Sequence, residues 1–411
     1  MYLARHIEST LQAALQEFPV VGLVGARQTG KSTLLKQLLG ATYAYVTFDD
    51  LGQRAAARRD PKLFLSAYPG PTVLDEAQYV PELLSAIKQV VDADPTPGRF
   101  VLTGSQQLQL VRDLRETLVG RILLLSLHSM TAWERAGLGA HRHWLNVLLD
   151  DGPAALVPSR AHIPWEPLRE LIRGGLPGLL DKSDRFLPGY FQSYVTTYLE
   201  RDLPAQHQAQ DPVAMGTFLR LLAPLTAQEI NRSQLGRDIG VASPTSARWL
   251  SWLAGANLWH ELPAYHANAV KRVSKSPKGM LFDTGLICSL LQAQRPGMLQ
   301  AHPQLGAIFE AAVSLELQAV VDAALQGSTL YHWRTPYGHE VDIVIEHEGR
   351  LYAIECKWRS HVDPRELTGI TAFRRTYGDR VAAAVVVTPV GDVRWITEGV
   401  LQVPWAPMPG G

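Results

Sequence analysis

Five short apolar runs punctuate the first third of the chain: Val20–Val24, Ala44–Phe48, Thr72–Leu74, Phe100–Thr103 and Ile122–Leu127. Each ends in polar or glycine residues, and helix-like segments separate them. Continuous apolar runs alternating with helices predict a parallel sheet covered on both faces, hence an α/β fold over residues 1–140. From His141 to Pro167 the pattern loosens around Gly152, Pro153, Pro158, Pro164 and Pro167, and a boundary or insertion is expected there.

Leu168 to about Leu203 reads as helical again. Phe191, Tyr194, Tyr198 and Leu199 form an apolar stripe that belongs to a core, so residues 141–210 are taken as a linker and helical lid. A third unit, 211–295, carries a sharper signature. Ser233 is an expected N-cap, Leu235 and Ile239 share a face, and Gly240 breaks the helix. Ser243-Pro244 opens a second helix through Trp249, Leu250 and Leu253 to Gly255. Two short helices around a glycine turn predict a helix-turn-helix. The extended segments Leu258–Pro263 and Met280–Phe282 then predict a winged-helix middle domain. The last unit, 296–411, runs from a long helix, Ala307–Leu325, through extended segments at Thr329–Arg334, Glu340–Glu346 and Leu351–Lys357. A helix near Arg365–Tyr377 and a strand at Val381–Thr388 complete a small α/β module.

Composition changes the picture only at the edges. The 411 residues are 46% hydrophobic and 19% charged, enough to bury real cores. Thirty-nine basic residues balance thirty-nine acidic ones, so an anionic partner must be met by a local patch. Lys271, Arg272, Lys275 and Lys278, just after Tyr265 and His266, are the candidate patch for DNA backbone. Thr245, Ser246 and Arg248 are the candidate contributors from a recognition helix. Two cysteines, Cys288 and Cys356, exclude a disulfide framework and a zinc-finger scaffold and fit a reducing compartment. Cys356 is expected in a core. The first ten residues carry Arg5, His6 and Glu8 rather than the apolar core of a leader, and no run approaches the ~20 apolar residues of a membrane span. A cytoplasmic protein is expected.

The strongest chemistry lies after the first run. Gly25-Ala26-Arg27-Gln28-Thr29-Gly30-Lys31-Ser32 fits the phosphate-loop pattern, between an apolar strand and a helix beginning Thr33-Leu34. Glycines let backbone N–H groups turn onto phosphate oxygens, and a helix N-terminus adds positive partial charge. Lys31 reaches the β and γ phosphates of ATP, and Ser32 ligands Mg²⁺. Asp75, at the end of a buried strand, is assigned to the metal, and the adjacent Glu76 to the attacking water as general base. Thr103-Gly104-Ser105-Gln106 closes another strand, and Ser105 is a candidate for the γ-phosphate or the water. Arg121 precedes the last strand and is a candidate arginine finger if subunits form a ring, with Arg112 and Arg115 competing. A homo-oligomer is therefore expected.

With these residues, GARQTGKS, VLDEAQ and LTGSQQ, the first 135 residues resemble an AAA-type P-loop ATPase core. The combination resembles a bacterial and archaeal ATPase family of unassigned biological role, whose core is followed by a C-terminal domain of unknown function. The tail is similar to that family in Tyr198-Leu199-Glu200-Arg201-Asp202, in Lys278 with Phe282-Asp283-Thr284-Gly285, and in Phe309-Glu310 with Glu340-Val341-Asp342.

Near the C-terminus, Asp342 and Glu355 fall on two strands joined by a tight turn, with Lys357 beside them. Two carboxylates and a lysine there can bind Mg²⁺ and position a water near a phosphodiester, with Glu310 completing the shell. The spacing is similar to that of the restriction-endonuclease-like superfamily, in particular Holliday-junction resolvase-like folds. Alternating charges on a strand can equally be its solvent face. Two functions follow: a Mg²⁺-dependent ATPase associated with DNA, or a nucleotide-dependent signalling switch whose C-terminal domain is an inactive protein-interaction module.

Overall fold

The computed structural model describes residues 2–104, 117–157, 165–197, 212–268, 272 and 276–405. Ser105, Gln106, Arg112, Arg115, the run from Tyr198 to Asp202, Lys271 and Lys275 lie outside the described residues. The five apolar runs are strands β1 (Val20–Val24), β2 (Ala44–Thr47), β3 (Thr72–Asp75), β4 (Phe100–Gly104) and β5 (Ile122–Ser126). They form one parallel sheet in the order β2-β3-β4-β1-β5. Along β1, Val20 and Val24 enter the core on one face and Val21 and Leu23 the core on the other. Burial on both faces is why the inner strands β1, β3 and β4 read as unbroken apolar runs; the outer β2 and β5 are only partly buried. Because β1 sits between β4 and β5, its C-terminal end opens at a point where the strand order reverses, the place where open α/β sheets bind ligands.

The predicted helix from Leu168 is instead broken. A helix spans Pro167–Arg173, the chain turns at Gly174 with φ of 69°, and a second helix spans Leu187–Tyr194. A Cβ at Gly174 would lie 2.2 Å from an Asp283 carboxylate oxygen, so the turn requires glycine. Phe191 and Tyr194 are core residues as expected. The stretch read as loose carries a helix of its own, Trp144–Asp151, whose apolar face is buried.

Residues Pro212–Leu222, Arg232–Asp238 and Ser243–Gly255 are helices, followed by strands that pair with the short β6 (Gln228–Glu229): β7 (Trp259–Leu262) and β8 (Lys278–Leu281). The antiparallel order is β6-β8-β7. The N-cap of Arg232–Asp238 is Asn231, not Ser233: its Oδ1 accepts from the backbone N–H groups of Ser233 at 3.1 Å and Gln234 at 3.0 Å.

The C-terminal unit opens with the helix Leu305–Ala324 and continues through β9 (Thr329–Arg334), β10 (Glu340–His347) and β11 (Arg350–Cys356). After the helix Thr368–Tyr377 come β12 (Val381–Thr388), β13 (Arg394–Thr397) and β14 (Val400–Pro404), the last two not predicted. The mixed sheet has the order β13-β14-β12-β11-β10-β9. Ile343, Ile345 and Ile354 face the core shared with the helix Leu305–Ala324. Val344, Ala353 and Val386 face the helix Thr368–Tyr377. Among the described residues no helix is long and apolar enough to cross a membrane.

Candidate functional site

The turn after β1 is shaped by sterics. A Cβ at Gly25 would lie 2.2 Å from the Leu127 carbonyl oxygen, so the chain passes β5 only as glycine. Gln28 and Gly30 take left-handed conformations, with φ of 66° and 96°, and the helix Lys31–Leu39 begins at the next residue. The Lys31 ammonium donates to the carbonyls of Gly25 and Ala26, both at 2.9 Å. Burial pushes its pKa down to about 8, against the pull of Glu76 and Asp75.

The acidic half lies one strand further across. Ser32 Oγ donates toward Asp75 Oδ1 and Oδ2, at 3.3 and 3.1 Å. Tyr45 OH donates to Asp75 Oδ2 at 2.6 Å, and the Thr103 hydroxyl donates to Asp75 Oδ1. Thr103 Oγ1 in turn accepts from the Glu76 backbone N–H at 3.2 Å. The β4 terminus thus contributes its hydroxyl to the orientation of Asp75 through Thr103. Glu76 sits at φ 56°, ψ 45°, a left-handed conformation uncommon for a non-glycine residue. Its carboxylate accepts from the Gln78 side-chain amide.

A cavity of about 580 Å³ joins these groups, lined by Arg27, Gln28, Gly30, Lys31, Ser32 and Thr33 with Glu76. Ligand pockets commonly fall in this range of volume. Its remaining wall is Asp49, Tyr79, Pro177, Gly178 and Tyr190, none of which sequence reasoning identified. Tyr190 OH donates to Gln28 Oε1 at 2.5 Å. A second cavity of about 400 Å³ adjoins at Gly30 and Thr33, with Tyr2, Leu3, Leu34, Met130 and Leu180 among its lining. Arg5 braces the loop from behind: it donates to the carbonyls of Thr29 at 2.9 Å and His128 at 2.7 Å and pairs with Glu134 at 2.9 Å.

Arg121 is not part of this constellation. Ile122 pairs with Val20, whereas Val24, next to the loop, pairs with Ser126. Arg121 therefore lies at the far edge of the sheet, where it pairs with Asp92 and donates to the Val119 carbonyl at 2.9 Å.

The basic run also resolves differently from expectation. Lys278 is buried, 3% exposed, with its ammonium 2.5 Å from both Glu310 and Glu340 and 3.8 Å from Asp342. A buried lysine bound to carboxylates cannot contact a DNA backbone. Arg272 pairs with Glu346 at 2.9 Å and lies over the rings of Tyr265 and Tyr331, so it too is committed within the fold. On the helix Ser243–Gly255, Ser246 is buried and donates to the Arg232 carbonyl at 2.9 Å, leaving Thr245 half-buried and Arg248 exposed.

Asp342 and Glu355 are brought together as predicted. Asp342 Oδ2 accepts from the Cys356 backbone N–H at 2.8 Å, and Lys357 donates to Glu355 Oε1 at 2.7 Å. Burial and the neighbouring Asp342 charge push the Glu355 pKa up to about 7. Burial also raises Glu310 well above the usual carboxylate range. Among the described residues no group of three or more His, Cys, Asp or Glu side chains is arranged to hold a metal. Cys288 and Cys356 are free thiols, the first fully buried.

Residues 17–136 match an AAA domain, residues 167–296 a domain of unknown function, DUF8612, and residues 305–407 a second one, DUF4143. Rv2008c of Mycobacterium tuberculosis and Mb2031c of Mycobacterium bovis are each 34% identical over 356 residues, covering 86% of this chain and 73% of theirs. The chain belongs to the family of these two proteins. A Walker-type ATPase of Pyrococcus abyssi aligns at 15% identity with a TM-score of 0.45, over 69% of this chain and 94% of its own.

The AAA domain thus supplies the strands, the phosphate loop and the acidic pair, an AAA-type P-loop ATPase arrangement with an adjoining C-terminal domain. The part matched to DUF8612 supplies Pro177, Gly178 and Tyr190 as a cover. The only sequence signal for that cover is the Gly174-Gly175-Leu176-Pro177-Gly178 break in a helical stretch.

Proposed function

We propose that the chain hydrolyses ATP in the cleft at the C-terminal ends of β1 and β3, with Mg²⁺ held by Ser32 and Asp75. The observation that carries this reading is the Ser32 hydroxyl beside both Asp75 oxygens, directly after Lys31 in the same cavity. A hydroxyl and a carboxylate form the oxygen donor set that a small hard cation requires. The donor set fits the ion, which when bound would neutralise charge on the phosphate oxygens. Lys31, which rests on two carbonyls, can exchange them for the β and γ phosphate oxygens. Glu76 orients the attacking water in line and accepts its proton, once its carboxylate leaves the Gln78 amide. Pro177, Gly178 and Tyr190 exclude solvent from the other side. The test is ATP turnover in wild type and Lys31→Ala; undiminished turnover in the variant overturns the reading.

The proposal extends to DNA association in a cytoplasmic homo-oligomer, on narrower support than the basic run suggested. The three helices with the β6-β8-β7 sheet support a winged-helix-like unit, and exposed Arg248 supports a contact from the helix Ser243–Gly255. Asp342 and Glu355 on the neighbouring strands β10 and β11, with Lys357 just beyond the end of β11, support a restriction-endonuclease-like C-terminal domain. Arg121 can serve only a neighbouring copy's cleft.

One set of contacts favours the second reading, a nucleotide-dependent switch. Arg5 joins the loop carbonyl of Thr29 to that of His128, whose ring pairs with Asp322 on the helix Leu305–Ala324 at 2.6 Å. Turnover with and without single-stranded, duplex and branched DNA separates the two, provided the same samples are analysed for strand scission. Stimulation that falls steeply with salt supports DNA association; DNA-independent turnover without scission supports the switch.

A further inference from the structure

Lys278, Glu310, Glu340 and Asp342 stand far apart in the sequence, yet they meet in one pocket between the middle sheet and the C-terminal domain. Lys278 is on β8, Glu310 on the helix Leu305–Ala324, and Glu340 and Asp342 are on β10. The ammonium of Lys278 lies 2.5 Å from Glu310, 2.5 Å from Glu340 and 3.8 Å from Asp342. Glu355 stands at the same pocket with Oε1 on Lys357, while its Oε2 is buried with no hydrogen-bond partner. Four carboxyl groups therefore face two ammonium groups and the Arg334 guanidinium, 3.9 Å from Glu340, and one buried carboxylate oxygen has nothing bound to it.

We infer that Lys278 is a tethered cation that fills the C-terminal acidic pocket, and that a divalent ion enters only when β8 withdraws it. An ammonium and a divalent ion cannot share Glu310 and Asp342, because like charges at about 4 Å repel strongly in a buried site. With Lys278 withdrawn, Glu310, Asp342 and Glu355 present hard oxygens, including the unbound Oε2, to Mg²⁺ or Mn²⁺. The lysine belongs to the unit that lies between the AAA domain and this pocket in the chain, so a movement of that unit opens or closes the pocket. This rests on the reading of Asp342 and Glu355 as cation ligands.

The experiment is Mn²⁺ binding to the full chain without nucleotide, followed by electron paramagnetic resonance of free Mn²⁺. Lys278→Met alone leaves carboxylates unpaired, so the compared chain is Lys278→Met/Glu340→Gln, which removes one charge of each sign. It should bind one Mn²⁺ about 100-fold more tightly than wild type, because the ammonium seated on the ligands Glu310 and Asp342 is gone while the carboxylate removed with it, Glu340, is not one of the three ligands. Adding Asp342→Asn should erase the gain. Equal binding in both chains overturns the inference and leaves the ligand assignment standing; binding in neither overturns both. A second measurement needs no variant. Excess Mn²⁺ should accelerate reductive methylation of Lys278 in the unaltered chain, read by mass spectrometry, and an unchanged rate overturns the inference.

Discussion

The phosphate cleft and the C-terminal acidic pocket both set a buried lysine beside carboxylates, yet they hold the charge in opposite ways. Lys31 rests on two backbone carbonyls and is not ion-paired, and burial brings its pKa down to about 8. Lys278 is bound by two carboxylates and approached by a third, and they push its pKa upward despite burial. The first ammonium is poised for an arriving anion. The second is already neutralised, so removing it exposes negative charge. A lysine among acids is therefore not one kind of site: what its Nζ touches decides whether it binds or locks.

The largest effect that distinguishes the two falls on stability. Removing one partner of a buried ion pair leaves an uncompensated charge and typically costs about 3–5 kcal/mol. Lys278→Met should lower the unfolding free energy by about that amount, measured by urea denaturation. Lys31→Ala removes a charge that rests on two carbonyls and touches no carboxylate directly, so its stability cost should be far smaller. Its loss should appear in kcat/KM for ATP, by about 10³-fold, the upper figure for one positioned donor. If Lys31→Ala destabilises the chain as much as Lys278→Met does, the contrast fails.

Glu76→Gln separates chemistry from binding within the cleft. A general base contributes about 10²–10⁴-fold, so kcat should fall in that range while ATP affinity is retained. Isothermal titration with ATP and a single-turnover assay give the two numbers; a parallel loss of affinity would make Glu76 a binding group instead.

Much of this was legible in the sequence, and the reasons are specific. The inner strands β1, β3 and β4 are buried throughout, so each prints an unbroken apolar run, whereas the outer β2 and β5 are only partly buried. The glycines of the loop print sterics directly: Gly25 has no room for a Cβ. Strand polarity was equally available for Arg121. A residue just before a strand of a parallel sheet lies at the edge away from the loop, and Arg121 does. What the sequence withheld is pairing across distance. Lys278 reads as one of a surface run because its carboxylates come later in the chain. Tyr190 gives no sign of Gln28: it lies outside the apolar stripe of Phe191 and Tyr194, 162 residues from its partner. The strand β13 was missed because Arg394 and Trp395 carry no apolar run.

The pH dependence sharpens the comparison further. The Lys31 ammonium must be charged to hold phosphate, and its lowered pKa means it begins to lose its proton as pH rises through about 8. Bound phosphate favours the charged form, so the complex keeps the proton that the free chain has shed. ATP affinity should then fall by about tenfold per pH unit above 8, with a proton taken up on binding. Calorimetry at pH 9 in buffers of different ionisation enthalpy measures that uptake. A flat affinity between pH 8 and 9.5 would mean that Lys31 stays fully charged without nucleotide.

The smallest predicted effect concerns the cover rather than the charges. Tyr190 OH donates to Gln28 Oε1 at 2.5 Å, a direct hydrogen bond between the middle unit and the left-handed turn of the loop. Phenylalanine keeps the ring that lines the cavity and removes only that bond, with a net contribution of about 0.5–1.5 kcal/mol. If the bond persists with nucleotide bound, Tyr190→Phe should raise KM by up to about tenfold and leave kcat unchanged, because no reacting atom is touched. If the bond must break to admit ATP, the same substitution should lower KM instead. The sign of the change in a steady-state titration thus tells whether the cover, as it lies on the loop, belongs to the bound form or to the closed, empty one.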